Sequence, residues 1–363
     1  MLAKFLPILD RYILRKFLGT FFFSILLIIC IVIVFDISEK IEDFIRHDVP
    51  LSEIVFDYYL NFIPFFVNLF CHLFTFIAVI FFTSRMAART EIVAILSGGI
   101  SFWRFIRPYL IGAALIGGLS FYLSNWLIPE ANKTRLDFES KYVGSRFVNT
   151  DHNIHRQIAP GVYIYMERYD IDDNVGTRFT LEKFDGLNMT MKISAREIRW
   201  DSVTSRWSII DYTGRYIDEQ KEHLFYGKQI DTVFNLNPRD FSRAQNVMES
   251  MNTEELVRYI ESEKQKGSEN VQLYEIERHR RIAFPFATFI MTLLGVAVSS
   301  RKVRGGIGMQ IAIGIAVGFI FVLFMQVFTS YASSGTLPAY IAVWIPNVIF
   351  ASVALWMLRR ATR

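Results

Sequence analysis

Few residues in this chain have the types and spacing that covalent chemistry requires. His152 and His155 are three residues apart, but no third metal ligand accompanies them, so we predict a solvated pair and no metal site. The sequence contains no G-x-x-x-x-G-K-S/T or H-E-x-x-H string, and no Ser/His/Asp or Cys/His constellation stands out. We predict no catalytic residue and no cofactor. If the protein performs work, another subunit must supply the energy.

Basic residues gather where apolar stretches end, and they are the main candidates for ligand contact. The set consists of Lys40, Arg46, Lys133, Arg135, Arg278, Arg280 and Arg281. Arginine binds a phosphate through two parallel hydrogen bonds, so these residues could hold the head group of an anionic lipid. They could equally pair with nearby acids such as Glu39, Glu42 or Glu277 and have only a structural role. Both interpretations stay open.

The segment 84–101 (SRMAARTEIVAILSGGIS) has the pattern of a short amphipathic helix. Its apolar stripe consists of Ile92, Ile95 and Leu96. Arg89 and Glu91 fall outside the stripe, and two glycines end the run. We predict a helix over about 84–98 at the membrane surface. It is either an inert interfacial helix or a coupling helix that docks on a soluble ATPase, with Arg89, Glu91 and the stripe at the contact.

Small residues recur at four-residue spacing in two apolar stretches, which allows neighbouring helices to approach closely. The pairs are Ala113/Gly117, Ala114/Gly118, Gly314/Gly318 and Ala312/Ala316. Packing within the chain is one explanation. A sliding seam between two subunits, with Gly314 and Gly318 at the contact, is the other.

These residues are positioned by six apolar stretches, each about long enough to cross a bilayer. They cover about 17–37, 60–83, 105–128, 282–299, 307–329 and 338–358. Lysine and arginine concentrate in both terminal tails and in the second-to-third and fourth-to-fifth connections, whereas loop 38–59 is rich in acids. By the positive-inside rule, both termini are cytoplasmic and the polar block after the third stretch lies outside. The net charge of +4 follows from this bias, so it does not indicate nucleic-acid binding.

The polar block changes from helical to alternating periodicity, which predicts an inserted all-β domain. Strands are predicted at 161–169, 177–184, 189–200, 206–217 and 223–236. Helical segments flank them at 132–147 and 253–266, and the second begins after Asn252 with Glu255 at the capping-box position. The block has no cysteine, so no disulfide staples it. The expected domains are 1–131 with three membrane helices, 132–277 with the β-domain, and 278–363 with three more.

Six segments, in their order and spacing, resemble one known family across nearly the whole chain. They are RTEIVAILSGGIS (89–101), NWLIPEANK (125–133), QIAPGVYIY (157–165), MKISAREIRWD (191–201), HRRIAFPFA (279–287) and LPAYIAVWIPNVIF (337–350). The chain thereby resembles the LptF/LptG-type permeases, the membrane subunits of the ABC transporter that extracts lipopolysaccharide from the inner membrane of Gram-negative bacteria. The first segment is similar to the family's coupling-helix motif, with its acidic residue at Glu91.

The resemblance implies six transmembrane helices in the bacterial inner membrane, with a periplasmic β-jellyroll between the third and the fourth. It implies that two paralogous LptF/LptG-type permeases pair around lipopolysaccharide, with their first and fifth helices at the seams. A dimer of cytoplasmic LptB-type ATPases would drive them, and a single-span LptC-type protein would continue the jellyroll toward the outer membrane. From the residues alone, two other functions stay open: a mechanotransmission-type ABC permease for lipoproteins, and a membrane sensor or scaffold that transports nothing.

Overall fold

The computed structural model of the protein describes residues 7–143, 153–170, 173–202, 204–218, 221–234, 236, 238, 248–265, 268, 270–300 and 306–361. The chain divides into two compact units, Met1–Tyr142 together with Glu275–Arg363, and Val143–Tyr274. The inserted unit begins later than the expected residue 132, because the third membrane helix continues to Tyr142 and packs against the second. The last residues of the expected helix 132–147 lie outside the described residues.

Within the described residues, six helices are long and apolar enough to cross a bilayer, which confirms the six expected spans. They are α1 (Ile8–Arg46), α2 (Leu51–Ala88), α4 (Phe102–Tyr142), α6 (Val271–Ser299), α7 (Gly306–Ser333) and α8 (Ala339–Ala361). Two shorter helices are α3 (Glu91–Ser97) and α5 (Thr253–Gln265). We call the end of these membrane helices at Arg46 and Leu51 the outer end, and the end at Ile8 and Ala88 the inner end.

The membrane helices pack around the inner half of α1. Its buried stripe consists of Ile13, Phe17, Phe21 and Ile25, which recur every four residues. The Phe17 ring lies 6.2 Å, centroid to centroid, from both Phe82 of α2 and Tyr109 of α4. Gly112 of α4 faces this ring so closely that an added Cβ would lie 2.4 Å from it. Any side chain at position 112 would therefore separate α1 from α4.

Gly314 and Gly318 of α7 are buried against α2 of the same chain. An added Cβ would lie 2.3 Å from Ile80 at the first position and 2.9 Å from Leu73 at the second. The two glycines therefore serve packing within the chain, which is the simpler explanation of their spacing. A seam between subunits that involves α7 would need another face of the helix.

Both α2 and α4 contain one wide, π-helical turn near the outer end, at Ile54–Tyr59 and Leu123–Leu127. A proline follows each wide turn, Pro64 and Pro129, and removes an N–H that a regular turn would use. Asn61 adds side-chain hydrogen bonds to the wide turn of α2, because its Nδ2 donates to two carbonyl oxygens of that turn at 3.0 and 2.9 Å. The wide turn of α2 ends in two tyrosines whose hydroxyls reach α1.

The described part of the inserted unit contains a seven-stranded antiparallel sheet. Its strands are β1 (Ile154–Ala159), β2 (Val162–Met166), β3 (Arg168–Asp170), β4 (Val175–Asp185), β5 (Asn188–Asp201), β6 (Arg206–Asp218) and β7 (Lys221–Thr232). The order across the sheet is β1, β2, β4, β5, β6 and β7, and β3 also pairs with β4. All the predicted strand segments are present, so the inserted all-β domain is confirmed, and β1 is an additional strand.

The helix α5 begins with the predicted capping box. Asn252 Oδ1 accepts a hydrogen bond from the Glu255 N–H at 2.9 Å, and Glu255 Oε2 accepts one from the Asn252 N–H at 3.0 Å. Near the end of α5, Glu263 is fully buried and accepts a hydrogen bond of 3.1 Å from Arg156 Nη1 of β1. This buried ion pair holds the first strand to the helix.

We expect Arg156→Ala to lower the free energy of unfolding of the inserted unit by about 3 kcal/mol, because the buried Glu263 carboxylate loses its arginine. The double variant Arg156→Met/Glu263→Leu removes both charges and should recover most of that stability. Limited proteolysis across a urea gradient compares the stability of the inserted unit in the wild type, Arg156→Ala and the double variant. Equal protease sensitivity of Arg156→Ala and the wild type would show that this pair does not stabilise the unit.

Candidate functional site

An apolar cleft of about 860 Å³ opens at the outer end between α1 and α2. One wall is a stripe of α1 with four-residue spacing, formed by Ile33, Ile37, Ile41 and Ile45. The facing wall includes Leu51, Ile54, Val55, Leu60 and Ile63 of α2. Asp48, in the turn between the helices, is the one charged residue among those that line the cleft. Because its walls are almost entirely hydrocarbon, the cleft suits an alkyl chain.

Farther toward the inner end, α2 carries a ladder of phenylalanines at four-residue spacing. The rings of Phe62, Phe66, Phe70 and Phe74 contact one another in sequence, with centroid separations of 4.2, 6.1 and 6.2 Å. The last three rings are only half-buried, so part of each remains accessible. The ladder therefore adds accessible apolar surface to α2 beyond the cleft.

Lys40 of α1 is the centre of an ion-pair network beside the cleft, which we call the Lys40 cluster. Its Nζ lies 3.1 Å from Asp36 Oδ1 and 3.3 Å from Glu139 Oε1, and it contacts the Tyr58 hydroxyl. The hydroxyls of Tyr58 and Tyr59 donate to Asp36 at 3.1 and 3.0 Å. The side chains of Lys40, Asp36 and Glu139 are 16%, 13% and 8% exposed. The cluster thus joins α1, α2 and α4 in a largely shielded position.

The cluster changes the role predicted for Lys40 as a head-group contact. Its ammonium pairs with acids, as the structural alternative required, but the partners are Asp36 and Glu139 rather than Glu39 or Glu42. Two carboxylates oppose one ammonium, and the tyrosine hydroxyls supply the remaining hydrogen bonds. A phosphate can therefore reach Lys40 only by displacing a carboxylate.

Three further basic candidates differ in their access to a ligand. Arg46 and Lys133 are accessible and pair with acids of their own helices, Glu42 at 3.4 Å and Glu130 at 2.9 Å. Such pairs contribute little stability, so a competing anion can replace the acid. Arg135 is buried, with its guanidinium 5.2 Å from the centroid of an aromatic ring of α2. In this structure Arg135 therefore packs against α2, and its role as a head-group contact stays a prediction.

The basic residues of α6 also separate into buried and accessible members. Arg281 is buried, and its Nε donates to Glu277 Oε1 at 3.2 Å. Arg280 is partly exposed, with Nη1 3.9 Å from Glu277 Oε2 and its guanidinium 4.8 Å from the centroid of the Phe284 ring. Arg278 is half-buried. Arg278 and Arg280 keep the access that a phosphate contact needs, whereas Arg281 has the structural role of an ion pair.

The helix α3 is shorter than the one expected over about 84–98. A left-handed residue, Thr90 at φ 60°, separates it from α2, which continues farther than expected. The stripe of Ile92, Ile95 and Leu96 faces inward and packs against the core of the membrane helices. The outward face consists of Val93, Ala94 and Ser97. A partner that contacts α3 would meet this outward face, which sequence reasoning did not single out.

Two polar contacts tie the start of α1 to the first residue of α3 and to the first turn of α4. The Tyr12 hydroxyl donates to Glu91 Oε2 at 3.0 Å, and Arg89 lies 4.0 Å from the other oxygen of that carboxylate. Arg104, in the first turn of α4, donates to both oxygens of the fully buried Asp10 carboxylate at 2.7 and 2.9 Å. We call Asp10, Tyr12, Glu91 and Arg104 the inner clamp. Its one sequence signal is an acid in the first turn of a very apolar helix.

Among the described residues, no group of three or more His, Cys, Asp or Glu side chains is arranged to hold a metal ion. The His155 ring contacts the tilted Tyr165 ring of β2, with centroids 4.8 Å apart, and His152 lies outside the described residues. The features with functional geometry are therefore the cleft, the accessible basic residues, the Lys40 cluster and the inner clamp.

Comparison with known proteins shows similarity across nearly the whole chain. Residues 11–360 match the family model described as lipopolysaccharide export system permease LptF/LptG. The chain is 20% identical to the lipopolysaccharide export system permease protein LptG of Haemophilus influenzae over 357 residues, 97% of this chain and 98% of that protein. It is 18% identical to the protein of the same name from Escherichia coli K12 over 279 residues, 76% of this chain and 77% of that protein.

We expect Lys40→Met to lower the free energy of unfolding by roughly 3 kcal/mol, because it leaves two shielded carboxylates facing each other. Arg46→Met is the matched control. It also removes one cation from α1, but the partner acid is exposed and the loss should stay below about 0.5 kcal/mol. Titration with SDS in mixed micelles measures both variants. Losses of equal size would contradict the stabilising role of the cluster.

Proposed function

The chain belongs to the LptF/LptG family of lipopolysaccharide export permeases, and we propose that its α1–α2 cleft receives acyl chains of lipopolysaccharide. The protein is a lipopolysaccharide export permease, a multi-pass inner-membrane subunit of a transporter. The observation that carries the proposal is the cleft itself, about 860 Å³ of apolar space at the outer end. Apolar space beside charged side chains fits an amphiphile better than it fits a wholly polar or wholly apolar ligand.

Extraction of a lipid requires that each acyl chain exchange the bilayer for an equally apolar surface. Exposure of one buried CH₂ to water costs about 0.8 kcal/mol. A path that exposes whole acyl chains to water is therefore too unfavourable. The isoleucine stripe of α1, the facing wall of α2 and the phenylalanine ladder supply the surface that this argument demands.

Arg278 and Arg280 are the head-group contacts that we favour. Both are partly accessible, and Arg280 is only loosely paired with Glu277 at 3.9 Å. A guanidinium forms two parallel hydrogen bonds with a phosphate, which favours replacement of the Glu277 carboxylate by a phosphate. Arg46 and Lys133 can join them from the other helices, and Lys40 can do so only when a phosphate displaces one of its two carboxylates, Asp36 or Glu139.

The inner end faces the cytoplasm in this proposal, with both termini on that side and the β-domain in the periplasm. The arginines near α3 support the orientation, namely Arg85, Arg89, Arg104 and Arg107. A dimer of cytoplasmic LptB-type ATPases docks on α3 of this chain and on the equivalent helix of a second permease. The docking surface is the outward face of α3 together with Glu91.

The second permease is a paralogous LptF/LptG-type subunit, and a single-span LptC-type protein receives the lipid. In their most apolar windows, α1 and α7 are each only 17% buried, which supports contact of both helices with another subunit. The strand β7 forms one edge of the sheet and exposes Leu224 and Tyr226. An LptC-type β-domain would extend the sheet at such an edge.

A photoreactive amino acid at Ile41, which is 49% exposed in the cleft wall, should crosslink lipopolysaccharide in membranes that contain the assembled transporter. The matched control is Val348 of α8, which is 60% exposed and does not line the cleft. This position should crosslink mainly phospholipid. Similar yields of lipopolysaccharide at the two positions would show that the cleft has no preference for it, and the proposed site would be abandoned.

We expect Val93→Asp and Glu91→Lys to reduce copurification of the ATPase without loss of folding, because both change the charge of an accessible surface of α3. Ile92→Ala is the contrasting variant. It removes buried contacts and should lower stability by about 3 kcal/mol while each folded molecule still binds the ATPase. Pull-down from detergent extracts and ATP turnover measure the outcome. Normal binding by both surface variants would argue against docking at α3.

A further inference from the structure

We propose that the inner clamp transmits movement of α3 to the cleft through α1. Asp10, Tyr12 and Arg104 are then positioning residues, since they touch neither the lipid nor the nucleotide and act through the helix that carries the cleft wall. The inference rests on the proposed docking of an ATPase at α3, and it names the path by which that docking reaches the lipid.

The clamp holds α1 at two points, the first residue of α3 and a residue of α4 beyond the end of α3. Tyr12 bonds to Glu91, the first residue of α3, whereas Asp10 bonds to Arg104, seven residues beyond the end of α3 at Ser97. The Asp10–Arg104 contact uses both carboxylate oxygens, so it fixes the orientation of the two groups as well as their distance. Because Asp10 is fully buried, separation from Arg104 would leave its carboxylate without a charge partner, which favours a closed pair when α3 moves.

The helix α1 is long and regular, so in this proposal it moves as a rigid unit. It runs for 39 residues without a proline or a wide turn, which corresponds to about 58 Å at 1.5 Å per residue. Both α2 and α4, in contrast, contain a π-helical turn and an internal proline. Sharp bends of helices often arise at such features, so α1 lacks the two kinds of bend point that α2 and α4 contain.

The contact of Phe17 with Gly112 supplies a pivot between the two ends of α1. The ring is fully buried and lies against the backbone of α4, where no side chain can yield. Asp10 is 7 residues from this pivot and Ile41 is 24 residues from it, so the outer arm is about three times as long as the inner one. A small tilt at the clamp therefore moves the cleft wall and Lys40 by a larger distance.

The outer end of α1 also has a contact that such a tilt would break. Lys40 bonds to Glu139 of α4 at 3.3 Å, and Ile41 next to it lines the cleft. Movement of the outer end of α1 away from α2 and α4 would widen the cleft and separate the Lys40 ammonium from Glu139, leaving it paired with Asp36 of its own helix. The reverse movement would narrow the cleft and restore the contact with Glu139.

The test uses Tyr12→Phe, which removes one hydroxyl group and leaves the aromatic packing in place. Tyr331→Phe is the matched control, because it removes an exposed tyrosine hydroxyl from α7. The quantity measured is lipopolysaccharide released per ATP hydrolysed by the complete transporter in proteoliposomes. We expect Tyr12→Phe to lower this ratio about threefold, with ATPase copurification and ATP hydrolysis at wild-type levels, while Tyr331→Phe leaves the ratio unchanged.

A second pair of variants tests the buried contact. Asp10→Asn should lower the ratio about tenfold, and the exchange Asp10→Arg/Arg104→Asp should restore part of it. A wild-type ratio in both Tyr12→Phe and Asp10→Asn would overturn the inference. Loss of ATPase copurification in Tyr12→Phe would also overturn it, because the hydroxyl would then only orient Glu91 for docking. A wild-type chain that binds no ATPase would refute the proposed function itself, and this inference with it.

Discussion

The arrangement of the membrane helices depends on one electrostatic constraint. A charge close to hydrocarbon is stable only when an opposite charge or several hydrogen-bond partners accompany it. The inner clamp and the Lys40 cluster meet this requirement at opposite ends of α1, through Asp10–Arg104 and through Lys40 with Asp36 and Glu139. The two networks hold α1 to its neighbouring helices. Because α1 forms one wall of the cleft, the shape of the proposed lipid site depends on these ion pairs.

The same constraint links the lipid to the protein's own acids. The cleft offers hydrocarbon walls, but the nearest ammonium is already held by two carboxylates. In the proposed site, an anionic head group must compete with these carboxylates for the ammonium. A neutral lipid would make only the apolar contacts with the cleft walls. Accessible arginines such as Arg280, which is 3.9 Å from its nearest acid, lose a weaker ion pair when they bind a phosphate. In the proposed site, selection of the head group therefore depends on how readily each basic residue separates from its acid.

Features governed by local periodicity could be predicted from the sequence, and those governed by distant pairing could not. The membrane spans, the strands, the capping box of Asn252 and the apolar stripe of α3 repeat or match within a few residues, although the inward packing of that stripe was not predicted. The partner of Lys40 on α4 is 99 positions away and that of Asp10 is 94, so no local pattern indicates either. The spacing of four residues between Asp36 and Lys40, in contrast, indicates an ion pair along one helix. The break at Thr90 has no signal, because threonine rarely adopts φ 60°.

The most direct test of the central claim is the structure of the assembled transporter in a lipid nanodisc with lipopolysaccharide bound. Acyl-chain density should lie between the isoleucine stripe of α1 and the facing wall of α2, with a phosphate within hydrogen-bond distance of Arg278 or Arg280. Acyl chains bound elsewhere, with phospholipid in the α1–α2 cleft and the head group remote from both arginines, would contradict the account.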